Sequence, residues 1–455
     1  MTLLFEQFMT DKEYLSYKAS MMALYKKYQS KLSGVKPPDK SKQSAYKDVI
    51  ASFSKQRGGN LWFPYISSGL GNGALVQLND GSVKYDFISG IGVHFSHGNV
   101  DIISDVIDAS FEDTVMQGNL QQNMTSVKLV DSFCKTSKLP HCFLTSSGAM
   151  AAENGLKLLF HKKPGSTRLL AFKKCFMGRT LALAQVTDNA AYRKGLPSTM
   201  LVDYVPFYDA DNHDGSIAKA VAVVKHYLER YPNDYAGMCM ELIQGEGGYF
   251  PGHEDFFKAI ITVLKEHELG VLVDEIQTFG RTQHMYAFQT FNLQKLVDVV
   301  TVGKLTQVCA TLFTRDFKPT PGLISQTFTS SSSAIAASLK IMNQLMTQNY
   351  YGETGKIMTL RNHFVSKLEE LSKQFPNRVK GSFGYGVMIA FTPFDGAKDK
   401  VVKIVHALFE KGVICFMAGR NPSRIRFLMP IGGVTLNDID AVMAIVADTL
   451  ETFDT

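Results

Sequence analysis

Charged side chains at the ends of short apolar runs are where this chain can do chemistry. In Asp298-Val299-Val300-Thr301-Val302-Gly303-Lys304 an amine closes such a run. A lysine there is costly to desolvate unless it is paired or serves as a nucleophile with a lowered pKa. In Val271-Leu272-Val273-Asp274-Glu275-Ile276-Gln277-Thr278 a carboxylate ends the run, placed either to cap the next element or to keep a cofactor's ring nitrogen protonated. Glu241-Leu242-Ile243-Gln244-Gly245-Glu246-Gly247-Gly248 puts two acids among glycines after another apolar stretch, at the sheet edge where open α/β folds bind ligands. Thr145-Ser146-Ser147-Gly148-Ala149 opens a helix pattern reaching Leu159, and the free N–H groups and positive dipole end of such a start can cradle a phosphate. Cys175-Phe176-Met177-Gly178-Arg179-Thr180 offers a ring to stack on a flat cofactor and a guanidinium to grip a carboxylate. Singly, each also reads as an ordinary cap, loop, core ring or solvent-facing lysine. Their order along one chain is what carries weight.

The elements that must position them alternate. Leu169 to Phe172, Met238 to Ile243, Val271 to Val273 and Val299 to Val302 read as short buried strands, separated by helix patterns such as Phe256, Phe257, Ile260, Ile261 and Leu264. This alternation predicts an α/β fold, a parallel sheet covered on both faces. At 455 residues, two or three packed units are expected. Residues 1–80 are read as an N-terminal arm plus part of a small domain, 81–340 as the large ligand-binding domain and 341–455 as a smaller α+β domain. Thr435 and Asp438 cap a final helix from Leu436 to Phe453. Within the arm, residues 1–50 read as Lys-rich helix broken by Gly34 and Pro37-Pro38.

A net charge of +6 is spread over interspersed acids and bases. It suits anionic substrates but shows no basic stripe for nucleic acid. The six cysteines are scattered with no C-x-x-C pair, which argues against a disulfide framework or a zinc site, so no metal is expected, and fits a reducing compartment. No apolar run is long enough to span a membrane. The first arginine, Arg57, follows several acids, unlike a transit peptide, so the cytoplasm is the expected location.

In this order the segments resemble the class III (ω-amino acid) aminotransferases, pyridoxal-5′-phosphate (PLP) enzymes of fold type I, over roughly residues 57–450. E-L-I-Q-G-E-G-G is similar to that family's E-P-I-Q-G-E-G-G, and V-D-E-I-Q-T-F-G-R-T to its D-E-V-Q-T-G-F-G-R-T; D-V-V-T-V-G-K completes the set. Locally, G-K-L-T-Q-V-C-A and A-M-A-A-E-N-G-L-K look like bacterial lysine 6-aminotransferases. The fold implied is a large domain with a mostly parallel seven-stranded sheet plus a smaller α+β C-terminal domain.

The resemblance implies that Lys304 carries PLP covalently and then shuttles the substrate proton, that Asp274 pairs with the pyridinium nitrogen, and that Gln277 reaches the phenolic oxygen. Phe176 and Ile276 would pack the two ring faces, and Gly148 and Ala149 would bind the phosphate with Ser147 beside them. Thr327 would reach the phosphate of a neighbouring subunit, implying a homodimer with shared active sites. Arg426 would clamp the α-carboxylate of glutamate or 2-oxoglutarate, Glu246 would cover that arginine when the amino donor binds, and Arg179 would grip the other carboxylate. The activity implied is transfer of a terminal amino group from a lysine-, ornithine- or acetylornithine-type donor to 2-oxoglutarate by a ping-pong mechanism. A 4-aminobutyrate aminotransferase, an aminomutase, a decarboxylase or a PLP-binding protein with little turnover uses the same frame. The chain departs from the family at Met177, where a histidine is usual, and at Thr329-Ser330, in place of two glycines.

Overall fold

The computed structural model describes residues 2–453. Its centre is a seven-stranded sheet whose strands, in chain order, are β1 (His141–Thr145), β2 (Arg168–Phe172), β3 (Leu201–Val205), β4 (Tyr235–Met240), β5 (Gly270–Asp274), β6 (Val299–Val302) and β7 (Cys309–Phe313). They lie in the order β1-β7-β6-β5-β4-β2-β3. Pairings are parallel from β6 across to β3, while β7 runs antiparallel to both its neighbours. The alternation therefore produces the expected sheet, because uninterrupted runs such as Val271-Leu272-Val273 are buried on both faces.

One predicted strand ends early. The apolar run from Met238 to Ile243 is broken after Met240, and Ile243–Gln244 instead pairs with Phe250–Pro251 as a hairpin. The break falls at Glu241, whose carboxylate accepts hydrogen bonds from the N–H groups of Phe176 (2.7 Å) and Gly245 (3.0 Å). A buried carboxylate needs donors, and a continuing strand would have pointed it into the apolar layer.

Helix α1 (Gly148–Lys162) packs on this sheet, and α2 (His213–Arg230) and α3 (Glu254–Glu266) pack on it and on each other. Gly155 in α1 lies so close to Leu272 of β5 that an added Cβ would collide with the leucine Cδ1, so the helix rests directly on the sheet. A second sheet joins Ser67–Asn72, Leu75–Leu78 and Val83–Asp86 to Val413–Ile414, and a third joins Val379–Tyr385, Met388–Pro393, Arg424–Leu428 and Phe416–Ala418. The first 57 residues hold helices at Leu4–Thr10, Lys12–Gln29 and Gln43–Arg57. The last helix, Leu436–Thr452, has the predicted Thr435–Asp438 capping box. No helix among the described residues is long and apolar enough to cross a membrane.

Candidate active site

Strands β5 and β6 deliver the two central groups side by side. Asp274 is the last residue of β5 and is buried; Oδ1 accepts from Ile276 N–H (2.8 Å) and the Thr301 hydroxyl (3.2 Å). Its Oδ2 takes no hydrogen bond from the described residues, and burial pushes the carboxyl up to about 6. Lys304 follows β6 after a single intervening residue, Gly303, and has a φ of +51°. A left-handed backbone on a residue with a Cβ costs about 1–3 kcal/mol and persists only where its surroundings impose it. Burial pushes the Lys304 amine down to about 7, helped by the positive charges of Arg426 and Arg281 and opposed by Asp274 and Glu241. Gln277, in the turn after β5, has a buried Oε1 with no partner among the described residues. That turn is held from behind by the buried Arg281, which donates to the carbonyls of Gln277 (3.2 Å) and Gly92.

The start of α1 faces the same region. Ser147 is the N-cap and its Oγ accepts from Met150 N–H (3.2 Å), so this hydroxyl is already engaged as a cap. The first-turn N–H groups of Gly148 and Ala149 have no intrahelical acceptor. Ile276 packs directly against this turn, and a Cβ on Gly148 would lie 3.0 Å from its Cδ1. A larger residue at position 148 would have to displace the Ile276 side chain.

A cleft of about 1040 Å³ opens above these strand ends and is lined by Phe176, Arg179, Glu246, Gln277, Lys304 and Arg426, among others. Arg426, on the strand Arg424–Leu428, is only 4% exposed, yet its Nε and Nη1 have no hydrogen-bond partner among the described residues. Glu246 forms no ion pair with it. The Glu246 carboxylate instead accepts from the Tyr192 hydroxyl (2.6 Å), and the Tyr192 ring carries the Arg179 guanidinium stacked 3.8 Å from its centroid. Tyr192 is a site residue that no sequence motif marks. Nothing in Ala190-Ala191-Tyr192, a single 3-10 turn, signals that it meets a residue on a distant loop. Thr327 is exposed and does not line the cleft. Thr329 N–H donates to the Gln117 carbonyl (2.9 Å), and Ser330–Ser331 pairs with Met116–Gln117. The backbone there is committed to a short ladder. Met177 is buried in the apolar layer with Cys175 and Leu183.

The model of the class-III aminotransferase family matches residues 63–450. The chain belongs to that family. It is 25% identical over 397 residues to an acetylornithine aminotransferase of Clostridium acetobutylicum, covering 84% of this chain and 95% of that one. A counterpart from Methanocaldococcus jannaschii is 27% identical over 381 residues, covering 79% and 87% respectively. Among solved structures, a lysine aminotransferase from M. tuberculosis superposes with TM-score 0.77 at 21% identity, covering 88% of this chain and 99% of that one. An ornithine aminotransferase from Toxoplasma gondii superposes with TM-score 0.78 at 20% identity, covering 89% and 95%. These structural likenesses establish the shared fold.

Class-III aminotransferases work with PLP, and the residues present fit that group. The free Oδ2 of Asp274 and the open first-turn N–H groups of α1 are unmet hydrogen-bonding capacity of the sort a phosphorylated pyridine, with its ring N–H and its phosphate oxygens, would satisfy. A Cβ on Gly245 would collide with Gln277 Oε1, so that glycine keeps the Gln277 side chain in place.

The depressed Lys304 pKa has a measurable consequence in this aminotransferase. Only a neutral amine attacks a carbonyl, so if Lys304 is the group that captures PLP, the rate of capture by cofactor-stripped protein should climb with pH, pass its midpoint at about 7, and level off above it. An ordinary lysine would keep the rate rising toward pH of about 10. Stopped-flow absorbance across pH distinguishes the two.

Proposed function

We propose that this aminotransferase moves the terminal amino group of an ω-amino or basic amino acid, of the lysine, ornithine or acetylornithine type, to 2-oxoglutarate in two alternating half-reactions. The observation that carries this reading is Arg426: a buried guanidinium with two unpaired nitrogens at a cleft that also holds Lys304. An unpaired buried charge is expensive, and a bidentate carboxylate is its natural complement. Lys174, Arg179, Lys398 and Arg420 line the same cleft, against the acids Asp188 and Glu246. A positive field of this kind draws in a dianion such as 2-oxoglutarate. The relatives named as acetylornithine, lysine and ornithine aminotransferases agree in chemical class with such a donor.

PLP, when bound, supplies the electron sink. In this reading Lys304 holds it covalently and, once displaced, takes and returns the proton at the substrate carbon; an amine with a pKa near 7 suits both directions. Asp274 keeps the ring nitrogen protonated, Gln277 donates to the phenolic oxygen, and Phe176 and Ile276 confine the ring. Gly148 and Ala149 bind the phosphate with Ser147 capping their helix. Glu246, parked on Tyr192, leaves Arg426 open for the oxo acid; swung across, it would neutralise Arg426 for the amino donor. Arg179 takes the second carboxylate.

We further propose a homodimer in which Thr327 reaches the partner's phosphate site. Its neighbour Phe328 is 46% exposed, and Val115 and Leu120 nearby in the ladder region are 74% and 100% exposed, an apolar surface that a second copy would cover. The six free thiols suit a reducing cytoplasm.

A donor panel tests the reaction. Lysine, ornithine, acetylornithine and 4-aminobutyrate are each mixed with PLP-loaded protein, and conversion to the amino form of the cofactor is followed by absorbance. 2-Oxoglutarate should then reverse the change. No response to any ω-amino acid, or no reversal by 2-oxoglutarate, rejects the proposal.

A further inference from the structure

None of the residues at the N-termini of α2 and α3 lines the cleft. The two helices pack side by side. His213 is the first residue of α2, His253 is the N-cap of α3, and Asp255 lies in the first turn of α3. His213 Nε2 is 3.9 Å from Asp255 Oδ2, and His253 Nδ1 is 3.4 Å from the same oxygen. One ligand atom from each of the three lies within 4.8 Å of the others. Tetrahedral zinc, with bonds of about 2.0–2.1 Å, sets its ligand atoms about 3.4 Å apart. Small side-chain rotations would bring all three to that spacing. Asp214 Oδ1, 3.9 Å from His213 Nε2, stands within reach as a fourth ligand.

The imidazoles are already oriented. The Tyr208 hydroxyl lies 2.8 Å from His213 Nδ1, which occupies that nitrogen and turns Nε2 toward Asp255. A hydrogen-bonded outer partner on the distal nitrogen is the usual companion of a ligating histidine. The Tyr208 ring also stacks on His253, with centroids 5.7 Å apart and planes 27° from parallel. A single aromatic side chain therefore fixes both rings.

Two helix N-termini oppose a cation, each with a partial charge of about +0.5. Against them stand the carboxylates of Asp209, Asp214 and Asp255, all close enough to act on the Tyr208 hydroxyl. None has a lysine or arginine partner within ion-pair distance among the described residues. About three negative charges outweigh about one positive. The competing structural role is helix capping: His253 Nδ1 accepts from Asp255 N–H (3.2 Å), and that lone pair must leave the cap to bind a metal. Capping explains His253 but not why a second imidazole, oriented by Tyr208, faces the same carboxylate.

We propose that His213, His253 and Asp255 form a divalent transition-metal site, clamping the first turn of α2 to the N-terminus of α3. Two imidazoles and one carboxylate suit zinc, and they are the wrong donor set for magnesium or calcium, which take oxygen ligands.

The test uses PLP-loaded protein freed of metal with a chelator and titrated with Zn²⁺ by calorimetry, and with Co²⁺ by absorbance. Wild type should take up one ion at this site, with Co²⁺ ligand-field bands of nitrogen and oxygen ligands and no thiolate charge-transfer band. His213→Ala, and His253→Asn, which keeps a cap acceptor, should weaken uptake by more than about 100-fold, and Tyr208→Phe by roughly 10-fold. Zinc should raise the unfolding midpoint of wild type and leave the two histidine variants unmoved. Amino transfer should be unchanged in all of them. Equal binding by wild type and the histidine variants, a thiolate band, or no uptake by wild type overturns the proposal.

Discussion

Lys304→Ala should slow amino transfer by at least about 10⁴-fold while leaving a folded protein. Positioned proton transfer alone is worth about 10²–10⁴-fold, and the same substitution would remove the proposed covalent anchor. Folding should survive because the Lys304 amine makes no hydrogen bond with the described residues, so truncation orphans no partner. Removing a half-buried amine whose pKa is pushed down to about 7 relieves a desolvation cost. The variant should still bind PLP through the remaining contacts but lose it on dialysis. Single-turnover absorbance with donor present measures the loss, and partial recovery on adding a small exogenous amine would identify the missing function as proton transfer. Activity within about 10-fold of wild type would remove Lys304 from the centre of the mechanism.

Arg426→Ala should lower kcat/KM for 2-oxoglutarate by roughly 10²–10³-fold, the cost of losing one partner of a desolvated charge pair. The donor half-reaction should change by less than about 10-fold, because in that half Arg426 is to be neutralised by Glu246 rather than used. Equal losses in both halves would reject the dual-substrate reading. A second signature accompanies the first. Of the two guanidinium groups that depress the Lys304 pKa, Arg426 acts more strongly than Arg281. Removing it should move the midpoint of PLP capture to higher pH. Tyr192→Phe is the milder companion: it keeps the ring under Arg179 but frees the Glu246 carboxylate to approach Arg426, so 2-oxoglutarate should bind more weakly only when Glu246 is present. If the weakening persists in a Glu246→Ala background, Tyr192 touches substrate directly.

The order of Gly148, Phe176, Glu246, Asp274 and Lys304 along the chain, each beside a strand end, is legible without a structure. Short β-branched runs punctuated by glycine and acid are a local pattern, and local pattern marks where the buried strands of a parallel sheet lie. The closing helix is equally plain, since a capping box is a contact between near neighbours in sequence. The expected strand from Met238 to Ile243 overruns the observed one for a reason that is not local: Glu241 turns inward to meet Phe176 N–H from another βα unit.

The same distinction runs through the site. Residue types alone mark Lys304 as an amine needing a reason to be buried, and the ordered motifs place the chain in its family. Only the tertiary structure supplies the reason, by setting Arg426, Arg281 and Asp274 around that amine. It alone shows Arg426 unpaired, Glu246 drawn to Tyr192 and Ser147 already spent as a cap. Charge compensation and hydrogen-bond satisfaction are properties of neighbours in space, and those neighbours are set by how strands and loops far apart in the chain come to pack.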